Sequence, residues 1–143
     1  MIEFQYFDGC PNSTDSLNNL LELQKELNLP ESIIKIMEIS NQESAEKLNF
    51  QGSPSILING IDIYTGKKPN SFSYSCRIYI FNGEKTGIIP KDYLYFDIVI
   101  YLYYIPFTSE AFHNRQEEGF LKKHKEPHMA RTMNIVLMPW AND

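Results

Sequence analysis

The sequence predicts a mixed α/β protein with one main folded domain. A chain of 143 residues with 43% hydrophobic and 13% aromatic content is long enough and apolar enough to form a core. Its 7 glycines and 8 prolines are too few for a linker or collagen composition. The spacing of apolar residues also switches along the first half of the chain between period two, typical of strands, and the helical period.

The first predicted unit is a strand that leads through a short turn into a helix. Residues Ile2–Phe7 alternate apolar and polar side chains, which predicts a strand, and Asp8-Gly9 ends it. Cys10 follows directly, and Pro11 is well tolerated in a first helical turn. The leucines that follow fall mostly on one helical stripe: Leu17, Leu20, Leu21, Leu23 and Leu27. Cys10 is therefore expected at or beside a helix N-terminus.

A second strand and a second helix are predicted next. The short β-branched run Ile33–Ile39 is typical of a strand buried in the middle of a sheet. Ser40 and Glu43 have the spacing of a capping box, which predicts a short helix start. Ala45 and Leu48 are expected on the inward face of that helix.

A hairpin and a last helix complete the predicted domain. Asn59-Gly60 separates two apolar runs and is the strongest hairpin signal in the chain. Residues Cys76–Phe81 alternate, which predicts a further strand. Residues from Pro90 suit either a helix start or a strand, and consistency with the preceding elements favours a helix. We predict a domain over residues 1–105 and a C-terminal extension over residues 106–143, which is left open as ordered or poorly ordered.

Charge and composition exclude several partners. Thirteen basic against eighteen acidic residues give a net charge of −5, which disfavours nucleic acid. The N-terminus has no basic region followed by a long apolar run, and the apolar stretch over residues 93–106 is too short to span a membrane, so we expect a cytoplasmic protein with no membrane partner. Two cysteines are too few for a disulfide scaffold or, alone, for a structural zinc site.

Three landmarks carry a resemblance to a known family. They are Phe7–Asn12 (FDGCPN), Gly52–Pro54 (GSP) and Ser75–Tyr79 (SCRIY), in this order. Over residues 1 to about 93 the chain resembles the thioredoxin-like superfamily, and in particular small thioredoxin- or glutaredoxin-like proteins. The resemblance implies a three-layer α/β sandwich of order β-α-β-α-β-β-α, in which the C-terminal extension is atypical. It also implies that Pro54 is a cis-proline opposite the active cysteine and that Ser53 contacts the bound peptide or thiol.

The chemistry expected of Cys10 follows from its position. A thiol at a helix N-terminus faces free backbone N–H groups and the positive end of the helix dipole, which favour the thiolate. Pro11 supplies no N–H, so Asn12 and Ser13 are the predicted donors, and Pro11 and Asn12 are also candidates for substrate contact. Asp8 opposes the thiolate if it is close, but it is also a candidate proton acceptor. The alternative is that Cys10 is a buried packing residue.

Resolution of a mixed disulfide on Cys10 has two possible routes. Ser13 stands where a C-x-x-C site has its second cysteine, and a hydroxyl cannot form a disulfide. One route is an external thiol such as glutathione, as a resemblance to one-cysteine glutaredoxins would imply. The other is Cys76, whose proximity to Cys10 cannot be judged from the sequence; an inert Cys76 is equally open.

The leading functional hypothesis is a thiol–disulfide oxidoreductase or thiol-transfer protein with Cys10 as nucleophile. Its partners would be protein or small-molecule thiols and disulfides, with no cofactor other than a thiol co-substrate such as glutathione. The alternatives are a protein that binds soft metals or organomercurials through Cys10 and Cys76, since thiolates select soft ions, or a non-catalytic adaptor. Beyond this shared thiol pair the sequence predicts no metal site, and it does not determine the oligomeric state.

Overall fold

The computed structural model describes residues 1–103, so the predicted boundary at residue 105 and the extension over 106–143 lie outside the described residues. These residues form a four-stranded sheet, a separate two-stranded sheet and three α-helices. The elements are β1 (Ile2–Tyr6), α1 (Ser13–Glu26), β2 (Ile34–Glu38), α2 (Gln42–Leu48), β3 (Ser55–Ile58), β4 (Ile61–Asp62), β5 (Tyr79–Phe81), β6 (Glu84–Thr86) and α3 (Lys91–Tyr103), with a single 3₁₀ turn at Glu31–Ile33. The predicted mixed α/β class is confirmed.

The main sheet has the order β2-β1-β3-β4. Strand β1 runs parallel to β2 and antiparallel to β3, and β4 returns antiparallel along β3. Phe4 lies opposite Ile36 of β2 and Ile56 of β3. Both Phe4 and Ile56 are fully buried, so β1 and β3 form the centre of the sheet.

The expectation that the second strand is buried in mid-sheet is wrong. Within residues 1–103, β2 lies at the edge of the sheet and pairs only with β1. Ile36 is 48% exposed, and Lys35 and Glu38 are also exposed. An apolar β-branched run reports a preference for pleated backbone, and the sequence pattern does not reveal on how many sides the strand is paired.

Helices α1 and α3 contact each other and cover one face of the sheet. The core between them and the sheet is apolar and includes Ile2, Phe4, Leu20, Leu23, Ile56, Ile58, Tyr93, Leu94, Ile98 and Tyr101. Buried positions in α3 recur at helical spacing, which is why the residues after Pro90 form a helix, as predicted. None of the helices within residues 1–103 has the length and apolarity needed to span a bilayer.

Helix α2 is capped differently from the prediction. Asn41, rather than Ser40, is the N-cap, and its side chain accepts a hydrogen bond from the Ser44 backbone N–H at 2.8 Å. Ala45 is buried in a small second cluster with Ile39 and Phe50, while Leu48 is 42% exposed. Of the two residues predicted on the inward face of α2, Ala45 is therefore buried and Leu48 is not.

Both Asn-Gly pairs form turns. Asn59 and Gly60 have φ values of 50° and 85°, which confirms the hairpin between β3 and β4. A second Asn-Gly turn, at residues 82–83, joins β5 to β6. The strand predicted from Cys76 starts only at Tyr79. Cys76 instead forms an isolated parallel bridge with Ser53.

Candidate active site

The turn after β1 places Cys10 immediately before helix α1. The Cys10 backbone N–H donates to the Phe7 carbonyl at 3.3 Å, and Gly9 takes a φ of +85° that favours glycine. Helix α1 begins three residues later at Ser13, as expected from the leucine pattern. Cys10 is only 6% exposed, so other parts of the chain cover it.

The loop before β3 lies against this turn. The Ser53–Pro54 peptide bond is cis, in agreement with the expectation from the resemblance. The Cys10 thiol donates to the Ser53 carbonyl at 3.5 Å, and the Ser53 hydroxyl lies 3.1 Å from the Ser13 hydroxyl. The Ser53 hydroxyl also accepts a hydrogen bond from the Phe7 N–H at 3.2 Å. Ser53 is fully buried and joins the cis-proline loop to both sides of the Cys10 turn.

A third segment, Ser75–Arg77, pairs with the same serine, and we call it the covering segment. The Ser53 N–H donates to the Ser75 carbonyl, and the Arg77 N–H donates to the Ser53 carbonyl, both at 2.9 Å. The resulting parallel bridge sets Cys76 opposite Ser53. A Cβ atom on Gly52 would lie 3.0 Å from the Arg77 Cβ and 3.1 Å from the Ser75 carbonyl oxygen, so glycine permits this close approach.

The covering segment brings the two cysteines together. Cys76 lies opposite Ser53, whose carbonyl accepts from the Cys10 thiol, so both cysteines neighbour the same residue; both are free thiols. Cys76 is exposed, whereas Cys10 is buried. The pair therefore has one solvent-facing and one covered sulfur, an arrangement that the sequence left open.

The local environment favours a Cys10 thiolate. Burial by itself raises the pKa of Cys10, but hydrogen bonds from the Ser13 and Ser53 side chains, the Asn12 backbone and Cys76 outweigh it and lower the pKa. Burial, together with the charge of Cys10 and the hydrogen bond made to it, raises the pKa of Cys76. Cys10 is thus the thiol that ionises first, and the helix N-terminus predicted for it supplies part of the cause.

A buried ion pair fixes the covering segment. The Arg77 guanidinium binds the Asp62 carboxylate at 2.5 and 3.1 Å and donates to the Ser55 hydroxyl at 2.9 Å. The side chains of Arg77 and Asp62 are 10% and 1% exposed. The guanidinium also lies 4.7 Å from the centre of the Tyr79 ring and 5.7 Å from that of Tyr64. Cys76 is therefore held next to a rigid anchor.

The remaining predicted site residues lie around the Cys10 turn. Asp8 and Pro11 are exposed, and Asp8 contributes none of the hydrogen bonds that lower the Cys10 pKa. Asn12 is half-buried, and a Cβ atom on Gly87 would overlap its side chain, so the chain before α3 packs closely against it. Pro54 is buried, and its carbonyl accepts a hydrogen bond from the Tyr79 hydroxyl.

Sequence reasoning missed the roles of Arg77 and Asp62. Arg77 alternates with Tyr79 and Phe81, so period two places the guanidinium on the same face as two aromatic rings. A charge on a buried face requires a buried partner. This pattern could have indicated an ion pair, although not that Asp62 supplies the carboxylate.

No family model matches the chain, and no curated protein or solved structure is similar to it. Residues 1–103 contain no group of three or more histidine, cysteine or acidic residues that could hold a metal ion. The thiols of Cys10 and Cys76 are the reactive groups on which the proposed function is based.

Proposed function

We propose that the protein has a thioredoxin-like fold and carries out thiol–disulfide exchange through Cys10 and Cys76. The observation that carries the proposal is that Cys10 and Cys76 meet at Ser53, Cys10 through its thiol hydrogen bond to the Ser53 carbonyl and Cys76 through the β-bridge. The pKa of Cys10 is lowered and that of Cys76 is raised, which assigns the attacking role to Cys10. The strand order of the main sheet, the helix that follows Cys10 and the cis peptide bond before Pro54 support the fold.

The exchange proceeds in two displacements. The Cys10 thiolate attacks one sulfur of a disulfide R–S–S–R′, which forms Cys10–S–S–R and releases the thiolate R′–S⁻. The Cys76 thiolate then attacks the Cys10 sulfur, which forms the Cys10–Cys76 disulfide and releases R–S⁻. Two electrons pass from the cysteine pair to the substrate, and two external thiols such as glutathione, or one dithiol, restore the reduced pair.

The charge of the Cys10 thiolate also favours this order of the two steps. The charge of the Cys10 thiolate is one cause of the raised Cys76 pKa. Formation of the mixed disulfide removes that charge, so Cys76 becomes easier to deprotonate at the stage at which it must attack. Cys76 thus takes the resolving role that Ser13 cannot perform.

Four proteins test this function: the wild type, Cys10→Ser, Cys76→Ser and the double variant. We expect wild-type protein treated with glutathione disulfide to yield the internal Cys10–Cys76 disulfide. Cys76→Ser should instead stop as a mixed disulfide with one glutathionyl group on Cys10, seen by mass spectrometry. Cys10→Ser should lose the reduction of small disulfides, and full activity in that variant would overturn the proposal.

The same sulfur pair also favours the soft-metal alternative, because two adjacent thiolates suit a two-coordinate soft ion. Titration of the reduced protein with Hg²⁺ distinguishes the two functions. Stoichiometric binding that needs both cysteines, in a protein without exchange activity, would support metal binding. A protein that neither binds Hg²⁺ through its cysteines nor exchanges disulfides would be a non-catalytic adaptor.

A further inference from the structure

The backbone edge nearest to Cys10 belongs to Ser53, whose carbonyl accepts from the Cys10 thiol. Both backbone polar groups of Ser53 are already used, because its N–H donates to Ser75 and its carbonyl accepts from Arg77. The Ser53 hydroxyl is also engaged, with Phe7 and Ser13. An extended polypeptide that binds beside a sheet needs free N–H and carbonyl groups on that edge. The covering segment thus occupies the place in which such a polypeptide would pair.

The covering segment is anchored at both of its ends. On one side the Arg77–Asp62 ion pair is almost fully buried. On the other side the Tyr74 hydroxyl donates to the Ile39 carbonyl at 3.1 Å, and the Tyr74 ring lies 5.4 Å from that of Phe7. Displacing this segment would break these contacts together with its two backbone hydrogen bonds to Ser53.

A small disulfide does not need that edge. Cys10, the attacking thiol, is only 6% exposed and its neighbour Cys76 is exposed, so the access to Cys10 from solvent is narrow and suits a compact disulfide better than a polypeptide. We propose that the substrates are low-molecular-weight disulfides and that the covering segment excludes disulfides held in an extended polypeptide. This inference rests on the proposed exchange function.

The test measures the rates at which the wild-type protein reduces two disulfides, with dithiothreitol as the common reductant. The probes are bis(2-hydroxyethyl) disulfide and insulin, and the rates with the Cys10→Ser variant are subtracted. We expect kcat/KM to be at least about tenfold higher for the small disulfide, because insulin cannot make two backbone hydrogen bonds at the site. Equal or faster reduction of insulin overturns the substrate class and leaves the exchange function standing. Reduction of neither probe overturns both.

A pair of glycine variants tests the cause. Gly52 and Gly60 both have positive φ, but only a Cβ atom at Gly52 would press on the covering segment, since nothing lies within 4 Å at Gly60. Gly52→Ala should raise the activity on insulin relative to the small disulfide, while Gly60→Ala leaves the ratio unchanged. An unchanged ratio in folded Gly52→Ala contradicts exclusion by the covering segment. The wild-type comparison decides the substrate class on its own if Gly52→Ala fails to fold.

Discussion

Ser53 hydrogen-bonds to two parts of the chain that are far apart in sequence: the Cys10 turn with the start of α1, and the covering segment. A buried polar residue contributes to stability when all of its groups have partners, and its loss affects every partner at once. Ser53 also acts on chemistry, because its side chain is one of the donors that lower the Cys10 pKa. A single residue thus couples the fold of the site to its reactivity.

Ser53→Ala should raise the pKa of Cys10, because a hydrogen bond to the thiolate is lost. The rate of Cys10 alkylation, measured against pH in a Cys76→Ser background, should then reach half of its maximum at a higher pH than with Ser53 present. The matched control is Ser16→Ala, since Ser16 is equally buried but its hydroxyl accepts from the Ile89 N–H at 3.0 Å. An unchanged midpoint in Ser53→Ala would show that this serine does not activate the thiol.

At the scale of elements, the hairpin of β3 and β4 supplies the anchor of the covering segment. Asp62 ends β4, and its carboxylate accepts from the backbone N–H groups of Tyr64 and Thr65, both at 2.9 Å, as well as from Arg77. The carboxylate and its hydrogen bonds keep Arg77 charged: burial lowers the guanidinium pKa, but Asp62 more than compensates and the pKa is raised. The hairpin therefore positions Cys76 through the residue next to it.

Asp62→Asn should destabilise the protein by about 3–5 kcal/mol, because it leaves a buried guanidinium without its counter-charge. Urea unfolding of the reduced protein measures this loss, and formation of the Cys10–Cys76 disulfide should slow in the same variant. Glu43→Gln is the matched control, because it breaks the Lys47–Glu43 pair, whose side chains are 73% and 77% exposed and screened by solvent. Equal losses in the two variants would contradict an anchoring role for Asp62.

At the scale of the whole molecule, the cysteine pair joins the first turn of the fold to a segment beyond the central hairpin. A disulfide between Cys10 and Cys76 would enclose α1, β2, α2, β3 and β4 in one covalent loop. Closing a long loop limits the unfolded chain more than the folded one, in which the two residues are already adjacent. The redox state of the pair is therefore expected to change the stability of the described domain as a whole.

The oxidised wild type should be more stable than the reduced protein by about 4 kcal/mol, the loop-closure contribution for a disulfide of this span. Urea unfolding with and without a reductant measures the difference. The Cys10→Ser/Cys76→Ser double variant provides the control: the sequence has only these two cysteines, so the stability of that variant should not respond to the oxidant. An oxidised form no more stable than the reduced one would mean that the disulfide strains the native site.

The sequence by itself determined the local structure around the site. Alternation over the first residues, the leucine stripe of α1 and the Asn59-Gly60 turn depend on interactions between near neighbours, so they could be read from spacing alone. The position of Cys10 ahead of a helix belongs to this class. The Tyr- and Ile-rich residues after Pro90 suit both a helix and a strand, and packing against α1 and the sheet selects the helix.

Only the tertiary structure decided which residues meet. The meeting of Cys76 and Cys10 at Ser53, the pairing of Arg77 with Asp62 and the edge position of β2 all depend on segments distant in sequence. Such contacts depend on strand order and register, which are set by the burial of the whole apolar surface and not by any local pattern. For that reason the sequence named both cysteines but could not tell whether they form one site.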